Sequence, residues 1–321
     1  MKPRDLAELL LLAAIWGASF LFLRIASPLV GPLAVAAARV GGGALILLPL
    51  LLWRRELRGL RPFLPALMLS ALLSYVLPFI GIGQAARALP AGLLSILNAT
   101  TPLWGALVGW WWVGERLSPA RLGGLLMGVA GVALLTADQQ LLGTAVAHTA
   151  VLLMLGSTLM YAIAVHQTRR QLSSLSPLAI TTSSMSLATC LLVLPAWWWG
   201  PQPLAMPSAT PLATGLPATW AAVPAIAWWA MAGLALLCTA LAYLLFFRLI
   251  ARVGPTRALT VTFLIPVFGM LWGALFLKEQ ITPFMLAGAG VIVLGTLLSN
   301  RAAPAARPSP NPHAASRAIE P

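Results

Sequence analysis

The residues of this chain best suited to chemistry are polar groups set singly into long apolar stretches. The segment Asn98-Ala-Thr-Thr101-Pro102-Leu-Trp-Gly105-Ala-Leu-Val-Gly109, wound at 3.6 residues per turn, places Asn98, Thr101, Pro102, Gly105 and Gly109 on one small, polar face. A second segment repeats the pattern with Thr262, Pro266, Gly269 and Gly273. Each carries a Gly-x-x-x-Gly pair, which lets another helix approach closely. Proline cannot donate to the carbonyl four residues earlier, so Pro102 frees the carbonyl of Asn98 and Pro266 frees that of Thr262. An unpaired carbonyl in hydrocarbon costs on the order of several kcal/mol, so each must face a neighbouring helix, water or a bound solute. Helices interrupted at equivalent places point to a binding and gating site between them.

Arg39 is the one charge deep inside an apolar run, and inserting it costs about 2.5 to 3.5 kcal/mol. Two roles fit that cost: a cation for a carboxylate or other anion, or an arginine that snorkels or bonds backbone carbonyls. Trp16, Ser19, Tyr75, Gln84, Tyr161, Gln167 and Tyr243 add polar or aromatic groups on other apolar runs. Singly, each reads as an interhelical hydrogen bond; together they describe a site for an amphipathic small molecule. Trp16, Arg39, Tyr75, Asn98, Thr101, Tyr161, Tyr243 and Thr262 are the expected substrate contacts, with Pro102 and Pro266 as helix breaks.

The same inventory argues against catalysis. His148, His166 and His313 are far apart, and Cys190 and Cys238 each lie inside an apolar run, so no catalytic constellation, metal site, cofactor site or disulfide framework is expected. Glu115 and Glu279 each stand three residues before Ser118 or Thr282, which precede Pro119 and Pro283. That arrangement reads as helix capping. The alternative function, a membrane-embedded enzyme acting on a lipid or polyprenyl carrier, would need an acid, base or metal site.

The elements that must hold these groups follow from composition. The chain is 60% hydrophobic and 8% charged with a mean hydropathy of +0.91, the signature of a membrane protein. Apolar runs long enough to span hydrocarbon fall at 7–26, 32–53, 64–86, 91–113, 120–137, 145–167, 177–199, 222–249, 256–277 and 283–299. The expected fold is an all-α polytopic membrane protein of ten transmembrane helices. Pro102, Gly105, Gly109, Glu115, Ser118, Pro119, Gly124 and Gly131 recur as Pro266, Gly269, Gly273, Glu279, Thr282, Pro283, Gly288 and Gly295, at a constant offset of 164. Trp16, Arg24 and Pro32 match Tyr161, Arg169 and Pro177 at an offset of 145. Glycine and proline dictate backbone shape, so one fold is present twice. Five spans per copy make the repeats inverted, with residues 1–138 and 139–300 as the two halves.

The net charge of +13 is topological and calls for no nucleic-acid partner. All Lys and Arg except Arg24, Arg39, Arg87 and Lys278 fall in alternate connectors and at the ends, which the positive-inside rule makes cytoplasmic together with both termini. The start Met1-Lys2-Pro3-Arg4 resembles a signal peptide, but the run after it belongs to the first repeat and reads as a retained helix. Residues 200–224, rich in proline and uncharged, read as an external loop, and 301–321 as a disordered cytoplasmic tail. Tryptophans at 110–112, 197–199 and 228–229 suit headgroup anchors in the lipid bilayer. Glycine stripes in the fifth and tenth spans would support a homodimer.

Trp16-Gly-Ala-Ser-Phe20, Arg39, Leu97-Asn-Ala-Thr-Thr-Pro102 and Gly114-Glu-Arg-Leu117 together resemble the EamA-type branch of the drug/metabolite transporter superfamily over nearly residues 5–300. The resemblance implies ten helices in two EamA repeats and secondary transport of a small-molecule substrate, often export of amino acids or other metabolites, at a bacterial cytoplasmic membrane. The second copy departs from it at Lys278, where the first has Gly114, and at Tyr161-Ala162, which lacks Trp-Gly. No Asp or Glu lies mid-span, so the coupling ion is not legible.

Overall fold

A computed structural model describes residues 2–57, 59–115, 117–138, 142–202 and 219–301. The expected disordered tail beyond 301, most of the proline-rich connector, and Arg58 and Arg116 lie outside the described residues. All regular structure among the described residues is helical. We label the spans α1 (Pro3–Val30), α2 (Pro32–Trp53), α3 (Arg61–Ala85), α4 (Ala91–Asn98 and Thr101–Val113), α5 (Pro119–Thr136), α6 (Ala145–Gln171), α7 (Pro177–Trp199), α8 (Ala225–Val253), α9 (Val261–Leu277) and α10 (Pro283–Arg301). Nine of the described helices are long and apolar enough to cross a membrane, and α9 is a shorter apolar one.

Helix starts follow local chemistry. Proline opens α1, α2, α5, α7 and α10, where a missing N–H costs nothing. Ser118, Thr144, Ser176 and Thr282 each accept a first-turn backbone N–H through the side-chain oxygen, at 3.3, 3.2, 3.0 and 3.2 Å. Gly31, at φ 86°, makes the corner between α1 and α2. A Cβ there would stand 2.9 Å from Gln202, which is tied to Val30 by its own N–H.

The helices pack in a pattern that the two halves share. α1 lies on α8 and α9 as α6 lies on α3 and α4, while α2 pairs with α7, α4 with α9 and α5 with α10. The glycine stripes of α5 and α10 face each other within one chain: Gly131 lets the α10 backbone come close enough that a Cβ would meet Gly288 O at 3.1 Å. Gly124, Gly131, Gly288 and Gly295 are thus used in this contact within one chain, while Gly290 faces open space.

Three irregularities matter for the site. α3 and α8 each widen into a π turn, at Leu72–Val76 and Leu236–Leu241, with Leu77 N–H bonding Leu72 O and Ala242 N–H bonding Leu237 O five residues back. The two turns begin 164 residues apart, the offset of the glycine and proline matches. α4 breaks at Ala99–Thr100 and resumes at Thr101, so that Pro102 is the second residue of the resumed helix, and the freed Asn98 carbonyl accepts from Thr101 Oγ1 at 2.8 Å. In the second half the break falls at Leu259–Thr260, and Pro266 lies inside α9. Pro266 is thus not the residue at the interruption. It removes only one bond, near the start of a helix that has already restarted, whereas Gly254 (φ 82°) and the short Pro255–Ala258 helix redirect the chain before it.

Candidate functional site: a central polar and aromatic cavity

The spans enclose a cavity of about 690 Å³. Trp16 from α1, Arg39 from α2, Tyr75 from α3, Asn98 and Thr101 from the α4 break, Tyr161 from α6, Tyr243 from α8 and Thr262 from α9 all line it. Residues from both halves are brought to one space, Trp16 and Thr262 from 246 positions apart in sequence. Pro102 also lines it; Pro266 is absent from its wall.

Arg39 is positioned by close helix packing. Gly42 and Gly43 let α8 approach α2 so nearly that a Cβ would come 2.5 Å from Ala235 and 2.6 Å from Thr239. The approach sets Thr239, inside the π turn of α8, against Arg39, whose Nε donates to Thr239 Oγ1 at 3.2 Å. The guanidinium lies over the Phe79 ring, 4.1 Å from its centroid. Among the described residues Nε alone has a hydrogen-bond partner, so the two terminal nitrogens keep the fork geometry that matches a carboxylate. Among the described residues Arg39 bonds no backbone carbonyl.

Aromatic rings form the rest of the wall. Trp16 meets Tyr243 edge-on at 6.3 Å and Phe246 at 5.1 Å, while Tyr75 meets Phe79 at 5.7 Å and Tyr243 meets Phe247 at 5.7 Å. The Tyr161 and Tyr243 hydroxyls are in Coulombic reach of Arg39, and Tyr75 is in reach of both tyrosines. Such a wall holds an apolar body while a few polar groups fix its orientation. The cavity extends past Thr168, Arg169, Thr260 and Asn300 to the end where α6 and α10 finish and α9 begins.

Two residues named from sequence stay outside the cavity wall. Gln167 donates to Ala66 O at 2.9 Å and to Gln171 Oε1 at 2.9 Å, and Gln84 accepts from Arg87. Ser70, Ser74, Phe79, Thr181 and Arg169 line the wall without having been singled out for it. Arg169 was legible as the repeat match of Arg24; the others have no signal beyond being small or aromatic in an apolar run. Arg39 itself has Ser184 at the matching place, and the wall's other charge, Arg169, stands at the far end of the cavity.

The model of the EamA-like transporter family matches the chain twice, over residues 6–137 and 148–301. The chain belongs to that family. As an EamA-like transporter it is 27% identical over 303 residues to the "Uncharacterized transporter YvbV" of Bacillus subtilis (strain 168), covering 93% of this chain and 92% of that protein. It is 25% identical over 314 residues to the "Probable amino-acid metabolite efflux pump" of Escherichia coli (strain K12), covering 93% and 95%. The "S-adenosylmethionine/S-adenosylhomocysteine transporter" of Chlamydia muridarum (strain MoPn / Nigg) is 26% identical over 310 residues, covering 93% and 92%. A crystal structure matches with a TM-score of 0.59 at 17% identity, over 94% of this chain and 98% of that one, which establishes the shared fold alone. This EamA-like protein is a multi-pass inner-membrane transporter and not an enzyme.

Proposed function

We propose that this transporter exports small amphipathic metabolites bearing a carboxylate, amino acids and related compounds among them, by alternating access between two inverted five-helix repeats. The observation that carries the substrate reading is Arg39: a guanidinium held by Thr239 and Phe79, with its terminal nitrogens left for a carboxylate inside an aromatic wall. The Escherichia coli relative, named for amino-acid metabolite efflux, agrees with it. The shared packing pattern of the two halves and their π turns at one offset support the repeat reading. An odd number of spans per copy then inverts the second copy. With the Arg-rich connectors and both termini cytoplasmic, the cavity mouth beside Arg169 and Asn300 faces the cytoplasm, as loading for export requires.

The test is comparative metabolite profiling of the medium from cells overproducing the wild type, Arg39→Gln at matched membrane abundance, or neither. A carboxylate-bearing compound released by wild type and lost in Arg39→Gln is the expected result. Equal release by Arg39→Gln and wild type would remove Arg39 from substrate binding, and identical media from wild type and empty vector would remove export.

A further inference from the structure

The geometry points to two matched ion-pair clasps, one at each end of the cavity: Arg24 with Glu279, closed in this structure, and Arg169 with Glu115, open in it. The inference rests on the alternating-access reading above and names the residues that would enforce it.

Both glutamates are presented by the same device. α4 and α9 end on residues in the left-handed region, Gly114 at φ 75° and Lys278 at φ 58°. The next N–H turns back in each case, Glu115 to Gly109 O at 3.0 Å and Glu279 to Gly273 O at 3.2 Å. Each carboxylate then folds onto that glycine: a Cβ on Gly109 would meet Glu115 Oε2 at 3.2 Å, and one on Gly273 would collide with Glu279 Oε2. The glycine face is thus room for a carboxylate as well as for a helix.

At the closed end, Glu279 accepts the Ala91 N–H with both oxygens, at 3.1 and 2.9 Å, and lies 3.7 Å from Arg24 Nε. Arg24 also donates to Ala86 O at 3.0 Å and Arg87 O at 3.1 Å. One arginine and one glutamate therefore tie α1, the α3–α4 corner and the α9–α10 connector together. The Glu279 side chain is only 15% exposed, so the tie is shielded from bulk solvent.

At the open end the matched parts are present and apart. Arg169, the counterpart of Arg24, lines the cavity and makes no ion pair among the described residues. Glu115, the counterpart of Glu279, is held by Arg121 at 2.8 Å. It shares one face of α4 with α6: Glu115 Oε2 and His166 Nε2 stand 3.2 and 3.3 Å from the same point on Gly109, and His166 is one turn from Arg169. Applying the two offsets to the closed clasp, Arg169 would reach Glu115 and the carbonyls of Ile250 and Ala251 once the mouth shuts. Arg121 has Met285 at its matching position. Among the described residues only the inner glutamate has a second arginine as its resting partner, and the inner clasp closes by exchanging Arg121 for Arg169.

The experiment uses the full chain in a Cys190→Ser/Cys238→Ser background with Ser74→Cys as a reporter in the cavity. A membrane-impermeant cationic methanethiosulfonate is applied from outside to intact cells, or from the cytoplasmic face to everted vesicles, without substrate. Arg24→Gln and Glu279→Gln should each raise outside labelling about tenfold or more. Arg169→Gln should lower it, and Arg121→Gln should raise it, a sign reversal between two inner arginines that loss of folding would not produce. Outside labelling equal to wild type in Arg24→Gln and Glu279→Gln proteins that still label from the cytoplasmic face would overturn the clasps. Accessibility that shifts as expected in a protein moving no carboxylate would sink the export reading and leave the clasps standing.

Discussion

Arg39 could be found from the sequence because a charge inside an apolar run is conspicuous; its partner Thr239, 200 residues later, could not. That pairing depends on two bare glycines letting α8 touch α2. Thr239→Val keeps the shape and removes the acceptor. A hydrogen bond to a charged group is worth about 1.5 to 3 kcal/mol, so the half-saturation concentration for a carried carboxylate should rise about tenfold or more in counterflow assays, with membrane abundance unchanged. An unaltered value would mean that Phe79 alone orients the guanidinium. Glu115 and Glu279 also look different at this scale than in the sequence. Ser118 and Thr282 cap their own helices as expected, but Glu279 caps α4 of the other half and Glu115 pairs with Arg121.

At the scale of elements, proline marked the α4 break correctly and the α9 break wrongly. Proline forbids one hydrogen bond, and whether a helix actually parts there depends on what else takes the carbonyl. Thr101 takes it in α4; in α9 the chain has already turned at Leu259–Thr260. Pro102→Ala restores the missing N–H and should let α4 run continuously. Insertion should be intact and the transport rate severalfold lower; wild-type rates would reduce the break to a packing feature. The C-terminal cap of α9 gives a stability prediction. Lys278 occupies the left-handed conformation that Gly114 occupies in the first half, at a cost of about 1 to 2 kcal/mol for a residue with a Cβ. Lys278→Gly should therefore raise the melting temperature of the purified protein in detergent, and an unchanged or lower value would show that the lysine side chain compensates.

For the whole molecule, the repeat reading makes a topological prediction that depends on no single side chain. A reporter fused after Asp138 or within residues 203–218 should lie outside the cytoplasm, and one after Arg170 within it. The reverse at these sites would sink the inverted arrangement and, with it, the cytoplasmic assignment of the cavity mouth. The π turns of α3 and α8 belong to this scale too. They repeat at 164 residues where side-chain identity does not, with Tyr75 facing Thr239 in the alignment. Backbone shape has persisted across the halves where residue type has not.

Class, span number and family resemblance were readable from the chain alone, because lipid demands long apolar helices and because glycine and proline record backbone shape directly. The eight expected contact residues were readable for the same reason: polar groups are costly in hydrocarbon, so each stands out singly. Their meeting in one site was expected from residue type alone; which helix faces bring them together was not legible, since small residues permit many close approaches. Gly124, Gly131, Gly288 and Gly295 packed inward, where a dimer seam was equally compatible with their spacing. Gln84 and Gln167 went to neighbouring groups rather than to the cavity. The engagement of Arg24 beside the open Arg169 lay furthest from view. Matched residues carry the same sequence signal in both halves, and only the packing of the helices around them distinguishes a closed end from an open one.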